Sequence, residues 1–138
     1  MTPVLYVWKT SSRSLPWVFV QMAINPFQFR RFPGVTFAKS LGTGRGVSFT
    51  PSDADLNQWA ALLVFSDQDS ANNFDKSKLV KKWNRRSSEQ LKITLQPLSS
   101  HGLWAKRKPF GEPTPIKWEG KVAAVTRARI KWWMNLKF

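Results

Sequence analysis

Apolar and polar residues repeat with a strand period at the start of the chain and then with a helix period. Bulky, β-prone side chains run from Pro3 to Thr10 and predict a first strand. From Pro16 the apolar positions recur at helical spacing and share one face. The residues on that face are Val20, Ala23, Ile24, Phe27 and Arg31. Pro26 should kink or restart this helix, because proline removes a backbone donor, and Pro33 with Gly34 ends it.

The next two apolar runs predict strands on either side of a glycine-rich segment. Val35 to Leu41 and Trp59 to Phe65 have the composition of strands. Between them stand the loop Gly42-Thr43-Gly44-Arg45-Gly46 and a polar turn from Ser52 to Asn57. Glycine at alternate positions allows positive φ angles and a close approach to a ligand or to another chain. The segment is therefore a candidate functional site.

The second half of the chain continues with helical, strand and loop patterns. A short helix is predicted after Ser66 and Asp67, and helical character continues from Leu79 to Arg86. The remaining predicted elements are a fourth strand from Leu91 to Leu98 with Leu91, Ile93 and Leu95 facing inward, a loop from Gly102 to Trp118, a fifth strand from Val122 to Ile130, and the start of a truncated helix at Trp132.

The predicted element order defines a fold class. The order β-α-β-β-α-β with one extra strand is the split βαβ, ferredoxin-like plan of α+β proteins, with an antiparallel sheet and its helices on one face. The other face must be covered, commonly by a second copy, which predicts a homodimeric α/β barrel. We expect residues 1–120 to form the ferredoxin-like half, and residues 121–138 to add a strand and a truncated helix that pair with a partner.

Charge is distributed unevenly along the 138 residues. Residues 1–75 carry 6 Lys and Arg against 5 Asp and Glu, whereas residues 76–138 carry 16 against 3. A half with a net charge of +13 favours anionic partners, which are an acidic protein, an anionic membrane surface or nucleic acid. A merely solubilising basic face is the alternative. Without cysteine, an apolar run of membrane-spanning length or a signal-peptide pattern, the chain is expected in the cytoplasm.

Eight tryptophans are many for this length, and they fall into two groups. Trp17, Trp59 and Trp83 fit core positions. Trp104, Trp118, Trp132 and Trp133 stand among Lys and Arg, as at a membrane interface or in a surface that stacks bases; Trp132 and Trp133 also fit a core seam. The candidate docking residues are Lys81, Lys82, Arg85, Arg86, Lys108, Arg127, Arg129, Lys131, Trp132 and Trp133. They predict peripheral association with a membrane.

Several motifs, taken in order, resemble the N-terminal half of the spheroidene monooxygenase family of carotenoid-modifying enzymes. They are Trp17-Val18-Phe19-Val20-Gln21-Met22-Ala23, Pro33-Gly34-Val35-Thr36-Phe37, the loop from Gly42 to Gly46 with the Val-Ser-Phe-Thr-Pro that follows it, Trp59 to Phe65, Leu95-Gln96-Pro97-Leu98, Gly102-Leu103-Trp104, Lys108-Pro109-Phe110 and Val122 to Ile130. The resemblance covers nearly the whole chain, although members of the family are markedly longer.

The resemblance implies a haem-dependent oxygenase that installs a keto group on an acyclic carotenoid. A haem iron needs an axial donor, and the one histidine, His101, is the first candidate, ahead of Tyr6 and Met22. Lys106 and Arg107 would meet the haem propionates. The residues assigned to cofactor binding are His101, Arg45, Gly42, Gly44, Lys106 and Arg107. The glycine segment would contribute backbone N–H groups and Arg45 to an anion; a loop that only packs against a partner sheet is the alternative.

Two further readings stay open beside the oxygenase. One is a non-catalytic basic subunit that docks on an acidic membrane or on a photosynthetic pigment-protein complex. The other is nucleic-acid binding, although the chain contains no recognised RNA- or DNA-binding motif. A hydrolase is not indicated, because the eight carboxylates fall in polar turns and at a helix start and no Ser-His-Asp order of known spacing occurs.

Overall fold

The computed structural model describes residues 1–46, 53–113, 116–122 and 124. Its strands are β1 (Thr2–Thr10), β2 (Val35–Gly44), β3 (Ala54–Phe65) and β4 (Ser87–Thr94). Its helices are α1 (Leu15–Arg30), α2 (Gln68–Asp75) and α3 (Lys78–Asn84), and a 3-10 turn (Ser12–Ser14) precedes α1. Of the predicted fifth strand, Val122 and Ala124 are described and neither lies in a strand. The rest of that strand and the predicted terminal helix lie outside the described residues.

The four strands form one antiparallel sheet in the order β2-β3-β1-β4. This is the ferredoxin-like arrangement, so the predicted α+β fold class is confirmed. Strand β1 lies in the centre, where Tyr6 pairs with Ala61 of β3 on one side and with Lys92 of β4 on the other. The dimeric barrel and the boundary near residue 120 stay predictions.

A single core lies between one face of the sheet and all three helices. Val4, Tyr6 and Trp8 alternate along β1 and point into it, as the period of a half-covered strand requires. Aromatic rings fill the space toward the helices: the Trp8 and Trp83 rings stack with centroids 4.9 Å apart. Each fully buried large apolar side chain contributes about 1.5–3 kcal/mol, so this cluster accounts for much of the stability of the fold.

Helix α1 buries two polar side chains and exposes several large apolar ones. Val18, Gln21, Asn25 and Phe29 are buried, whereas the face that helical spacing singles out in the sequence is exposed. The amide Nδ2 of Asn25 has no hydrogen-bond partner among the described residues. The helix also continues through Pro26, so of the two predicted effects of this proline the restart is wrong, and the kink stays a prediction.

Strand β4 begins and ends about four residues before its predicted position. The prediction that Leu91 and Ile93 face inward is wrong, because they pair with Val7 and Leu5 and so lie on the sheet face away from the helices. Their side chains are 54% and 36% exposed. The apolar spacing identified the strand correctly, but its pairing with β1 also includes the polar residues Ser87, Glu89 and Gln90, which precede Leu91.

Both short helices begin at a side-chain cap. The Asp67 carboxylate accepts a 2.7 Å hydrogen bond from the Ser70 amide at the start of α2, as the sequence predicts. At the start of α3 the Ser77 hydroxyl accepts from the Val80 amide at 3.3 Å. Caps of this kind satisfy backbone N–H groups that have no partner within the helix.

Candidate functional site

The glycine-rich segment is part of a strand rather than a loop. Gly42 and Gly44 lie within β2 and pair with Trp59 and Ala54 of β3, with a register shift after Gly42. Strand β2 therefore continues past the predicted stop, and β3 begins inside the predicted polar turn. The shift leaves three residues of β3 (56–58) outside the pairing, which resumes between Thr43 and Asp55, so the ladder continues past the glycines. Gly46, with φ +79°, is the glycine of this segment in the left-handed region.

An internal carboxylate binds the backbone N–H groups at the end of β2. The Arg45 amide donates to the Asp53 carbonyl at 2.9 Å, and the Gly46 amide donates to the Asp53 carboxylate at 3.0 Å. Asp53 is itself buried. An anion at this point would have to displace the Asp53 carboxylate and meet its negative charge. The contacts therefore favour the structural reading of the glycine segment over the anion cradle.

His101 lies on the surface, in the long loop that follows β4. Its imidazole is exposed, and Nε2 lies 3.0 Å from the Ser99 hydroxyl. A tight turn follows, in which Trp104 and Arg107 exchange two backbone hydrogen bonds of 2.8 and 3.1 Å. The two central residues, Ala105 and Lys106, have φ angles of 54° and 62°. These values define a two-residue turn of the primed, left-handed kind that glycine and asparagine favour.

This turn packs on the beginning of strand β2. The Trp104 and Phe37 rings meet edge to face, with centroids 5.4 Å apart. The Arg107 guanidinium donates to the Thr36 carbonyl at 3.4 Å. Gly42 lies six residues further along the same strand, which corresponds to about 20 Å at the rise of an extended chain. The residues assigned to one haem site are thus divided between the two ends of β2.

The two alternative axial donors are both engaged in the core. The Tyr6 hydroxyl donates to the Asp75 carboxylate at 2.5 Å, and burial together with that hydrogen bond raises the pKa of the Tyr6 phenol well above its ordinary value. Met22 is partly buried and packs against the core cluster. Iron ligation at either position would require the core to open, which leaves His101 as the accessible donor of the three.

The described residues fit part of a haem site. His101 offers an exposed imidazole, and Lys106 and Arg107 lie in the same loop as cations for propionates. Gly42, Gly44 and Arg45 do not fit the same site, because they lie at the opposite end of β2. Within the described part of the chain, no three His, Asp or Glu side chains come together as a metal site.

A basic surface runs along helix α3. Lys78, Lys81, Lys82, Asn84 and Arg85 line a surface groove. The Trp17 ring of α1 lies at the border of this groove. Lys82 Nζ lies 5.8 Å and the Arg86 guanidinium carbon 4.8 Å from the centroid of the ring. The structure thus brings together four of the predicted docking residues and adds Trp17, whose sequence position indicated only a core residue.

The other predicted docking residues lie elsewhere or are not described. Lys108 forms an ion pair with Glu112 in the long loop. Outside the described residues lie Arg127, Arg129, Lys131, Trp132 and Trp133. No helix in the described ranges is both long enough and apolar enough to span a bilayer.

Comparison with known proteins confirms the resemblance seen in the sequence. Spheroidene monooxygenase from Cereibacter sphaeroides is 32% identical over 123 residues, which are 88% of this chain and 38% of that protein. Spheroidene monooxygenase from Rhodobacter capsulatus is 36% identical over 124 residues, or 86% of this chain and 50% of that protein. The chain therefore spans half or less of the length of these relatives. No protein-family profile matches it.

Solved structures with the same fold share little sequence with the chain. An antibiotic biosynthesis monooxygenase superposes with a TM-score of 0.56 at 10% identity, covering 70% of this chain and 98% of that one. A dimeric ferredoxin-like protein of unknown function from Jannaschia sp. CCS1 superposes with a TM-score of 0.51 at 12% identity, covering 70% and 100%. At such low identity these similarities establish the fold alone.

Proposed function

We propose that this chain, which is homologous to spheroidene monooxygenases over most of its length, is a monooxygenase-like protein. Its reaction would be the haem-dependent oxygenation of an acyclic carotenoid at a membrane surface. The observation that carries the proposal is the 32–36% identity across 86–88% of the chain. Because the chain spans half or less of those relatives, we assign the activity to a site that a second ferredoxin-like unit completes.

The sheet face away from the helices is the surface on which such a unit would pack. Leu91 and Ile93 of β4 are exposed there beside Leu5 and Val7 of β1. At the other edge of the sheet, Trp104 already packs against Phe37. The dimeric protein from Jannaschia has the same fold, which supports a second copy as the partner. An apolar space between two such faces would also suit a long hydrocarbon substrate.

The chain's contribution to haem binding would come from the His101 loop. His101 would be the axial ligand, and Lys106 and Arg107 would bind the propionates through charge-assisted hydrogen bonds. Haem, when bound, would supply the activation of molecular oxygen. Arg107 already anchors this loop through the Thr36 carbonyl, so its side chain also helps to fix where His101 stands relative to the sheet.

Absorption spectra of protein expressed with a haem precursor test this assignment. We expect a Soret band in the unsubstituted protein, its loss in His101→Ala, and its retention in Arg45→Ala, which alters a cation at the other end of β2. A band that survives His101→Ala would remove His101 from the proposal. The absence of a band in folded protein of every variant would overturn haem dependence for this chain.

A non-catalytic basic subunit is the second candidate, and the groove of α3 is the observation that favours it. Such a protein would dock on an acidic membrane or pigment-protein complex without binding haem. Binding to anionic vesicles with no Soret band would support it over the oxygenase. Salt-sensitive binding to nucleic acid, with no binding to vesicles, would instead support the third reading.

A further inference from the structure

The outer face of helix α1 is an apolar ridge that the described residues leave largely uncovered, although the Phe19 ring meets Trp59 edge to face at a centroid distance of 5.8 Å. Phe19, Val20, Ile24 and Phe27 are 53%, 55%, 39% and 63% exposed. Together with the exposed Ala23 they cover about 12 Å of helix from Phe19 to Phe27, at the helical rise per residue. Contiguous apolar surface of this kind marks a site of contact with a protein or a membrane.

The side chains of α1 depart from the usual distribution, although Val18 and Phe29 do face the core. Gln21 and Asn25 are buried, and Gln21 Oε1 accepts a 3.1 Å hydrogen bond from Lys82 of α3, while four large apolar residues face outward. A surface helix normally shows the opposite pattern, with its apolar stripe toward the core. Burying the two amides while exposing Phe27 and Val20 costs stability unless the outer face has an apolar environment of its own.

Cations surround this ridge at both ends and along one side. Arg13 lies before α1, and Arg30 and Arg31 lie at its end; all three are exposed. On the side that faces α3, Trp17 is covered by Lys82 and Arg86. Residues 1–46 contain six Lys and Arg and no Asp or Glu. In the part of the chain that the structure describes, no ion pair with a carboxylate is formed by the cations around the ridge, which are Arg13, Arg30, Arg31, Lys82 and Arg86.

We infer that this face of α1 docks on the surface of an anionic lipid bilayer. Its apolar side chains would enter the boundary between headgroups and acyl chains, while the surrounding cations would bind the lipid phosphates. The Trp17 ring stands at the border of the two regions, where indole side chains are favoured at a membrane interface. The inference deepens the proposed function, on which it rests for the choice of a membrane location.

Charge and position argue against a second copy of the chain on this face. Two α1 ridges packed on each other in antiparallel fashion would place Arg13 of one copy near Arg30 and Arg31 of the other, with no acidic residue in 1–46 to compensate. The ridge also points away from the sheet, so a unit that covers Leu91 and Ile93 leaves it exposed. A bilayer with anionic headgroups supplies hydrocarbon for the apolar ridge and negative charge for the cations around it.

Vesicle binding tests the inference with closely matched variants. The protein is mixed with phosphatidylcholine vesicles with and without phosphatidylglycerol, and the bound fraction is measured by sedimentation. Val20→Gln/Phe27→Gln removes two apolar side chains of the ridge. Leu56→Gln/Leu103→Gln is the control, because Leu56 and Leu103 are 46% and 61% exposed but lie at the start of β3 and in the loop after β4.

We expect binding only to vesicles that contain phosphatidylglycerol, and an affinity that falls at high salt. The ridge variant should bind at least about tenfold more weakly, given the apolar area it removes. The control variant should bind as well as the unsubstituted protein. Arg30→Gln/Arg31→Gln should weaken binding and reduce its salt dependence.

Three outcomes would overturn the inference: unchanged binding in the ridge variant, an equal loss in the control, or no binding to anionic vesicles by folded protein. If Val20→Gln/Phe27→Gln instead lowers the oligomeric state in sedimentation velocity and leaves vesicle binding intact, the face is an interface between copies. The experiment does not require haem or turnover. The Soret band of His101→Ala tests the haem proposal and vesicle binding by the ridge variant tests the membrane proposal, so either proposal can fail while the other stands.

Discussion

The hydroxyl of Tyr6 donates a 2.5 Å hydrogen bond to the carboxylate of Asp75, which joins the central strand β1 to the end of helix α2. The second carboxylate oxygen of Asp75 forms an ion pair with Lys92 of β4. Tyr6 is buried, and its ring stacks on Trp8 with a centroid separation of 5.5 Å. One carboxylate thus connects two neighbouring strands to a helix at the edge of the core.

Tyr6→Phe should lower the free energy of unfolding at neutral pH by about 1–2 kcal/mol, because it removes a hydrogen bond to a charged group. The raised pKa of Tyr6 means that the unfolded chain releases the phenolic proton first. The contribution of the Tyr6–Asp75 hydrogen bond to the free energy of unfolding is therefore complete below a pH of about 10 and declines above it. The stabilities of the two proteins, measured by denaturant unfolding, should converge as the pH rises beyond that value.

Tyr6 is the one tyrosine of the chain, so tyrosinate absorbance follows it alone. In folded protein the absorbance should rise well above the pH at which denatured protein titrates. A midpoint near the ordinary value of about 10 in folded protein would contradict the hydrogen bond to Asp75.

The cap of α2 should make the stability of the protein depend on pH in acid. Hydrogen bonds from the Ser66 hydroxyl and from the Ser70 amide lower the pKa of Asp67 to about 2. A lowered folded pKa stabilises the protein above the unfolded pKa, and the effect is lost as the pH falls from about 4 to about 2. Asp67→Asn should make the melting temperature depend less on pH across that interval. Asp69→Asn, which removes a charge from the same turn, should leave the slope unchanged.

The sequence predicts elements better than it predicts the direction in which they face. Strands β1 and β3 and the start of α2 follow from alternation, apolar runs and a cap. For α1 the period is right, but apolar residues occur on every side, as Val18 and Phe29 show beside Val20 and Phe27. Periodicity then cannot tell which face meets the sheet. The outward direction is fixed only by tertiary packing.

The candidate site depends even more on contacts between distant residues. Arg107 reaches Thr36 across 71 positions of sequence, and this contact places the His101 loop at the start of β2. No local pattern encodes such a contact, so the sequence grouped the glycine segment with His101 although the two lie at opposite ends of one strand. The strand character of Gly42 and Gly44 was also hidden, because glycine has a low strand propensity.

The turn between Trp104 and Arg107 should become more stable with the residues that its geometry favours. Ala105 and Lys106 both have left-handed φ angles, which cost L residues about 1 kcal/mol or more each. Ala105→Asn/Lys106→Gly should therefore slow exchange of the amide hydrogens of Trp104 and Arg107 by about tenfold. Lys108→Gly is the control, because it removes the same kind of side chain two residues further on. Equal slowing in Lys108→Gly would contradict this account.

A second unit on the open sheet face should be sensitive to charge at Leu91. This side chain is 54% exposed beside Ile93, and it pairs with Val7 on the face away from the helices. If two copies pack these faces together, Leu91→Lys buries an unpaired ammonium group from each copy in the apolar interface and should convert a dimer into a monomer. Sedimentation velocity measures the change directly. Leu103→Lys adds the same charge at a similarly exposed leucine of the loop and should leave the dimer intact. A chain that is already monomeric without substitution, or one that stays dimeric in Leu91→Lys, would contradict pairing through this face and would direct the search for the second unit elsewhere on the fold.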